Sequence, residues 1–237
     1  MTEGSYKQFC PVAMASEVLC NRWTMIIIRE LVCGSTRFND LKRGVPRMSP
    51  ALLSKRLRDL EATGIIQRVV TSGGHEYRLT ASGRELEPIV KAFGVWGQRW
   101  VEANPTLQNL DPELLMWDMR RSIDLGALPR RRSVVQFTYS DLPQKKQRYW
   151  LVVEANGEVD VCSIDPGFEV DLYVTTDLRT LTAIWLGITS LRSATSTGAI
   201  VIVGDRSLET TFPTWIGLSP FAAEPKLAGL GVVAVER

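Results

Sequence analysis

Apolar residues recur at helical spacing through the first hundred positions, then give way to runs of strand length. Residues 11–20, opened by Pro11, read as a short helix. Trp23, Ile27 and Leu31 fall at i, i+4 and i+8, which predicts a second helix over 23–31. Gly34 is expected to close it with a left-handed cap. Residues 37–43 predict a third, short helix with Phe38 and Leu41 inward. Ser49 then stands as an N-cap before Pro50, and Leu53, Leu57 and Leu60, thickened by Leu52, carry a buried stripe to about Thr63. Residues 65–71 and 75–79 are strand-like and joined by Ser72-Gly73-Gly74, a hairpin pattern. Residues 80–101 predict one long helix, with Leu86, Ile89, Val90, Phe93, Trp96 and Trp100 at helical spacing.

Three helices, a capped fourth, a hairpin and a closing helix make a helix-turn-helix with a β-wing, in a span the size of one domain. The expected N-terminal domain covers residues 1–103 and is mainly α. A polar, proline-marked stretch at 104–110 reads as a linker, and Asp111-Pro112-Glu113 starts a connecting helix, so 104–129 join the two halves. Beyond it the pattern turns to strands at 133–139, 148–154, 158–164 and 169–175, with Asn156-Gly157 as a hairpin turn. A helix over 177–186, a strand over 199–203 and a short helix near Leu208 follow. Residues 130–237 are therefore expected to form an α+β domain with its own core.

Charge sharpens this division. Residues 1–103 carry 15 Lys and Arg against 10 Asp and Glu, a net +5, whereas residues 104–237 carry 13 against 16, a net −3. A basic front half beside an acidic rear half points to a polyanion partner for the front half only. The four cysteines, Cys10, Cys20, Cys33 and Cys162, show no CxxC spacing, so neither a zinc site nor a disulfide framework is expected. The first nine residues lack an apolar core, and no apolar run approaches the ~20 residues of a membrane span. The expectation is a cytoplasmic protein with no membrane partner.

Seven basic residues and one acid lie between Arg37 and Arg58. On the helix from Ser49, the leucines mark the buried side, leaving Pro50, Ala51, Ser54, Lys55 and Arg58 on the other. Small residues at the start of such a helix let it sink into the ~12 Å major groove of double-stranded DNA. Ser54 suits a base edge or a phosphate, and Lys55 and Arg58 suit phosphate or guanine. Arg37, Arg47 and Ser49 flank this face, and Gly73 and Gly74 at the wing tip permit close approach beside His75, the single histidine. The plain alternative is a solvated basic face and an ordinary tight turn. The joint order of basic pre-turn, capped helix and glycine-tipped hairpin favours the DNA reading.

Residues 9–100 resemble the HxlR-type winged-helix regulators. The resemblance rests on Cys10-Pro11, Arg22-Trp23-Thr24, Arg37-Phe38 with Leu41, Ser49 with Leu53-Ser54, residues 56–61, Gly64-Ile65-Ile66 with Arg68, and residues 77–80 with Gly83. It implies a homodimeric transcription regulator on a near-palindromic operator, with the first helix and the Phe93, Trp96, Trp100 helix forming the dimer interface. Core packing is the other reading of those aromatics. The resemblance also implies an oxidant- or electrophile-sensing role for Cys10, against the alternative of an inert thiol. The family's glycine before its basic-Trp pair is replaced by Cys20-Asn21, so a bend there falls to Asn, which tolerates left-handed geometry.

Residues from about 130 to 220 resemble a sterol-carrier-protein-2-type domain, on residues 159–165, 170–172 with Val174, Thr176-Asp177 with Leu181, residues 185–187, Ala194, and 198–205. That resemblance implies a sheet with helices over one face, enclosing an apolar tunnel for a hydrophobic small molecule. Phe137, Tyr139, Trp150, Trp185 and Trp215 are the wall residues it would offer, or else ordinary core. No catalytic constellation and no cofactor motif stands in this half; Asp165 and Asp171 form no convincing acid/base pair, because Asp165-Pro166-Gly167 reads as a turn. An enzyme is not expected. A second reading makes the protein a Cys10 redox regulator whose rear domain serves only dimerisation or partner docking.

Overall fold

The computed structural model describes residues 5–102 and 109–228. The predicted linker at 104–110 lies for the most part outside them. The chain divides into two compact units, Met1–Phe93 and Gly94–Arg237.

The first unit begins with α1 (Pro11–Leu19), α2 (Thr24–Val32), α3 (Phe38–Gly44) and α4 (Pro50–Ala62). Ile27, Ile28, Leu31, Leu41, Leu53, Leu57 and Leu60 meet in one buried cluster. Both α2 and α4 end in paired reverse hydrogen bonds: Gly34 N–H reaches Leu31 O and Ser35 N–H reaches Glu30 O, while Gly64 N–H reaches Glu61 O and Ile65 N–H reaches Leu60 O. Gly34 and Gly64 hold the positive φ that this closure requires, at 89° and 71°. The bend before α2 differs from expectation. Asn21 stays out of the left-handed region and closes α1 by donating from Nδ2 to Glu17 O at 2.9 Å. Trp23 takes the left-handed conformation instead, with φ at 80°.

β1 (Ile66–Thr71) and β2 (Gly74–Leu79) form the wing. Its loop is Ser72-Gly73 alone, because Gly74 already pairs with Thr71. The long closing helix is in fact two: α5 (Ala81–Arg84) and α6 (Glu87–Trp100). Pro88 explains the break. It has no N–H for the Arg84 carbonyl, and its ring would crowd that carbonyl in a continuous helix. Thr80 caps α5 through Gly83 N–H.

The second unit holds α7 (Pro112–Met119), β3 (Ser133–Tyr139), β4 (Arg148–Val153), β5 (Val159–Cys162), β6 (Leu172–Thr176), α8 (Leu178–Trp185), α9 (Leu191–Ser196), β7 (Ile200–Gly204) and α10 (Arg206–Trp215). The strands form one sheet in the order β5-β4-β3-β6-β7, with β3 and β6 parallel and the other pairs antiparallel. One face carries Val135, Phe137, Tyr139, Leu151, Leu172 and Val174 into a core with α7, α8 and α10. The other face carries a smaller cluster of Val134, Trp150 and Val152. The sequence reading lacked α9, and gave α10 as a short helix where it runs ten residues. Asp111, Asp177 and Asp205 cap α7, α8 and α10.

Candidate nucleic-acid interface

The cap at Ser49 fixes where α4 begins. Its hydroxyl accepts from Leu52 N–H at 3.3 Å, and Pro50 occupies the first turn. With Leu53, Leu57 and Leu60 turned inward, Pro50, Ala51, Lys55 and Arg58 are exposed and Ser54 is half-buried. Five of the sequence-derived residues thus share one outward face of one helix. Arg47 and Ser49, just before the helix, are also exposed, and so are Gly73, Gly74 and His75 at the wing.

Arg37 is exposed but occupied. Its guanidinium lies over the wing tip, where a Cβ added at Gly73 would come 2.5 Å from Nη2. Its Nε faces Glu76 at 4.0 Å. Arg78 donates to the same carboxylate from Nε at 3.1 Å and Nη2 at 2.8 Å. Next door, Tyr77 N–H donates to Thr36 O at 2.7 Å and ties β2 to the segment before α3. Sequence reasoning missed Glu76 and Arg78. The alternation of a strand was the available signal, since residues 76 and 78 must lie on one side of β2.

The aromatic residues of α6 do not enter the core: Phe93 is 65% exposed, Trp96 58% and Trp100 50%. Phe9 and Val12, at the start of α1, are exposed as well. Cys10 is the N-cap residue of α1 and is exposed. Backbone N–H groups of Ala13 and Val12 hold its thiol below the ordinary range.

In the second unit, Phe137, Tyr139, Trp185 and Trp215 belong to the helix-side core, whereas Trp150 packs on the opposite face of the sheet. Tyr139 is fully buried, and its hydroxyl has no hydrogen-bond partner among the described residues. Burial pushes its phenol well above the ordinary range, and pushes that of Tyr149 up to about 12. Asp165 accepts from Gly167 N–H in a turn, and Asp171 is engaged by Arg131 and by Val134 N–H. Among the described residues, no group of three or more His, Cys, Asp or Glu is placed to hold a metal ion, and no helix is long and apolar enough to cross a membrane.

A tri-helical core, a capped and outward-facing fourth helix and a two-stranded wing define a winged helix-turn-helix. The model of the HxlR-like helix-turn-helix family matches residues 18–105. YvaP of Bacillus subtilis (strain 168), an uncharacterized HTH-type transcriptional regulator, is 34% identical over 99 residues, covering 40% of this chain and 92% of its own. YybR of the same organism, described in the same words, is 38% identical over 95 residues, covering 39% and 76%. The reduced form of the redox regulator HypR has 37% identity and a TM-score of 0.36, covering 38% of this chain and 91% of its own. The chain belongs to the HxlR-like helix-turn-helix family.

Proposed function

We propose that the protein is a homodimeric transcription regulator that reads double-stranded DNA with α4 and is controlled by a hydrophobic small molecule held in its second unit. The observation that carries this reading is the face of α4, where Pro50, Ala51, Lys55 and Arg58 are exposed outside the leucine stripe and half-buried Ser54 stands at its edge. Small residues allow close approach to base edges, while the cations meet phosphate or guanine. Arg47, Ser49, Gly73, Gly74 and His75 flank that face as backbone contacts, and Arg37 joins them with its guanidinium over the wing tip.

The exposed aromatics of α6, with Phe9 and Val12 of the first helix region, support the homodimer, because Phe93, Trp96 and Trp100 at i, i+3 and i+7 form a row along one side of the helix, and contiguous exposed apolar surface marks a partner site. Two copies would present two reading helices about one DNA turn apart, matching a near-palindromic operator. For the second unit, support comes from the sterol-carrier-protein-2-type pattern and from the Tyr139 hydroxyl, a buried donor that a ligand's acceptor atom would satisfy. Phe137, Trp185 and Trp215 line the same core, while Trp150 would serve only a ligand on the other face. Control requires that the ligand bind the DNA-competent and incompetent states with different affinity.

Arg58→Ala is expected to weaken operator binding by roughly 1–3 kcal/mol if the guanidinium pairs with a base. Ser54→Ala should change the preferred sequence more than the overall affinity. Selection of duplexes from a random pool by each variant, followed by titration, reads both effects. If neither variant differs from the wild type, α4 is not the reading helix. For the ligand, mass spectrometry of the purified chain is expected to find a hydrophobic molecule. Adding that molecule to an operator titration should shift affinity, and no shift would remove the regulatory part of the reading.

A second reading is favoured by Cys10. Its thiol is exposed at a helix start and carries more thiolate at neutral pH than an ordinary cysteine. Cys10 should therefore be alkylated by iodoacetamide faster than the exposed Cys20. Oxidant should change DNA affinity in the wild type and leave Cys10→Ser unaffected. Equal alkylation rates would count against a sensing role.

A further inference from the structure

We infer that Glu76 is a positioning residue for DNA recognition, holding Arg78 by hydrogen bonds and Arg37 by charge as two cations along the wing. The inference rests on the DNA-reading function proposed above. Glu76 is an acid inside a surface that would face a polyanion, an arrangement that opposes binding unless the acid does something else. Its side chain is only 16% exposed, whereas Arg37 and Arg78 are 56% and 53% exposed. The carboxylate thus lies beneath two guanidinium groups that both reach solvent.

Geometry divides their donors. Arg78 gives Glu76 its Nε and Nη2, leaving Nη1 uncommitted to that carboxylate. Arg37 turns its Nε edge toward Glu76, with Nη2 over Gly73. A guanidinium carries five donors in a rigid fork, so an inner acid that takes one edge of Arg78 aims the other, while Arg37 at 4.0 Å is drawn by charge without a hydrogen bond. The Tyr77 to Thr36 backbone bond fixes the strand between the two pairs, so the cluster joins the wing to the segment before α3. Two cations around one anion also leave a net charge of +1, so each arginine is lent to a phosphate only in competition with Glu76.

Two consequences separate this role from simple packing. Glu76→Gln frees both arginines and raises the cluster charge by one. Binding to non-operator DNA should strengthen, and its log–log salt dependence should steepen by about 0.9, one more phosphate. Preference for operator over scrambled DNA should fall by about three- to tenfold, the loss of one positioned charge-assisted contact. Glu76→Asp keeps the charge but withdraws the carboxylate from Arg78. It should lower the same preference while leaving the salt slope unchanged.

The test titrates the full chain against a duplex enriched by the wild type from a random pool and against a scrambled duplex of equal composition. Thermal midpoints establish that each variant is folded; should Glu76→Gln fail to fold, the preference of Glu76→Asp decides the question. A steeper slope for Glu76→Gln with reduced preference in both variants supports the role. An unchanged slope and preference, with normal salt dependence in the wild type, overturns it and leaves the reading of function intact. A wild type without salt dependence overturns the DNA reading itself.

Discussion

Replacing Trp215 by alanine is expected to cost the second unit about 3–5 kcal/mol, the range for removing a large buried aromatic. Trp215 is fully buried at the end of α10. Its Nε1–H donates to Leu208 O at 3.0 Å, and its ring meets Phe212 edge-on with centroids 4.8 Å apart. Its own carbonyl accepts from Asp124 N–H, which ties the segment before β3 to α10. Alanine removes the ring contacts, leaves the Leu208 carbonyl without that donor and opens a void beneath the sheet. Hydrogen exchange is the suitable measurement. Amides of β3 and β6 should lose at least about a hundredfold of protection, since each 1.4 kcal/mol is tenfold. A loss below tenfold would mean that this corner of the core refills or was never tightly packed.

The second large effect concerns Glu30, a carboxylate fully buried within the first unit. It accepts from Ser35 Oγ at 3.2 Å and pairs with Arg29, whose Nη2 also reaches Gly44 O at 3.2 Å. These bonds join α2 to the end of α3, and so set the platform from which α4 projects. Glu30→Ala should destabilise the unit by roughly 2–4 kcal/mol. That lies below the 3–5 kcal/mol of a wholly buried pair, because Arg29 keeps partial access to water. Gly44→Ala strikes the same place from the other side, since its Cβ would overlap the Glu30 carboxyl. In the double variant the overlap disappears. Unfolding in denaturant should therefore show the two losses to be far from additive. Additive losses would show that Gly44 is constrained by something other than Glu30.

Trp215 already stood in the sequence as a candidate wall or core residue, but the Glu30 effect was not legible there. Glu30 sits in an apolar helix as an isolated acid, and nothing local says that Ser35 and the Gly44 turn will close over it. The same holds for Arg37 and Glu76, which are 39 positions apart and meet only once the wing folds back. What was legible is what local chemistry decides. Ser49-Pro50 announced the start of α4, and the spacing of Leu53, Leu57 and Leu60 announced its buried side. Asn156-Gly157 announced a turn that the structure forms, with Gly157 at a φ of 88°. The errors also have local causes. The apolar spacing from Leu86 to Trp100 runs smoothly across Pro88, so periodicity outweighed the missing N–H. The pair Gly73-Gly74 looked like loop, yet Gly74 retains its pairing with Thr71. In the second unit, alternating β residues gave the strands but not which face meets the helices, and so Trp150 was grouped with residues from the other side.

The proposed reading face is the exposed side of α4, with the wing beside it. The most direct test is the binding of the full chain to its selected duplex over a range of salt concentrations. Log affinity is expected to fall linearly with log salt with a slope steeper than about −4, as for several neutralised phosphates, and Lys55→Ala with Arg58→Ala to make the slope shallower. Affinity independent of salt, or a slope untouched by those two substitutions, would contradict this reading.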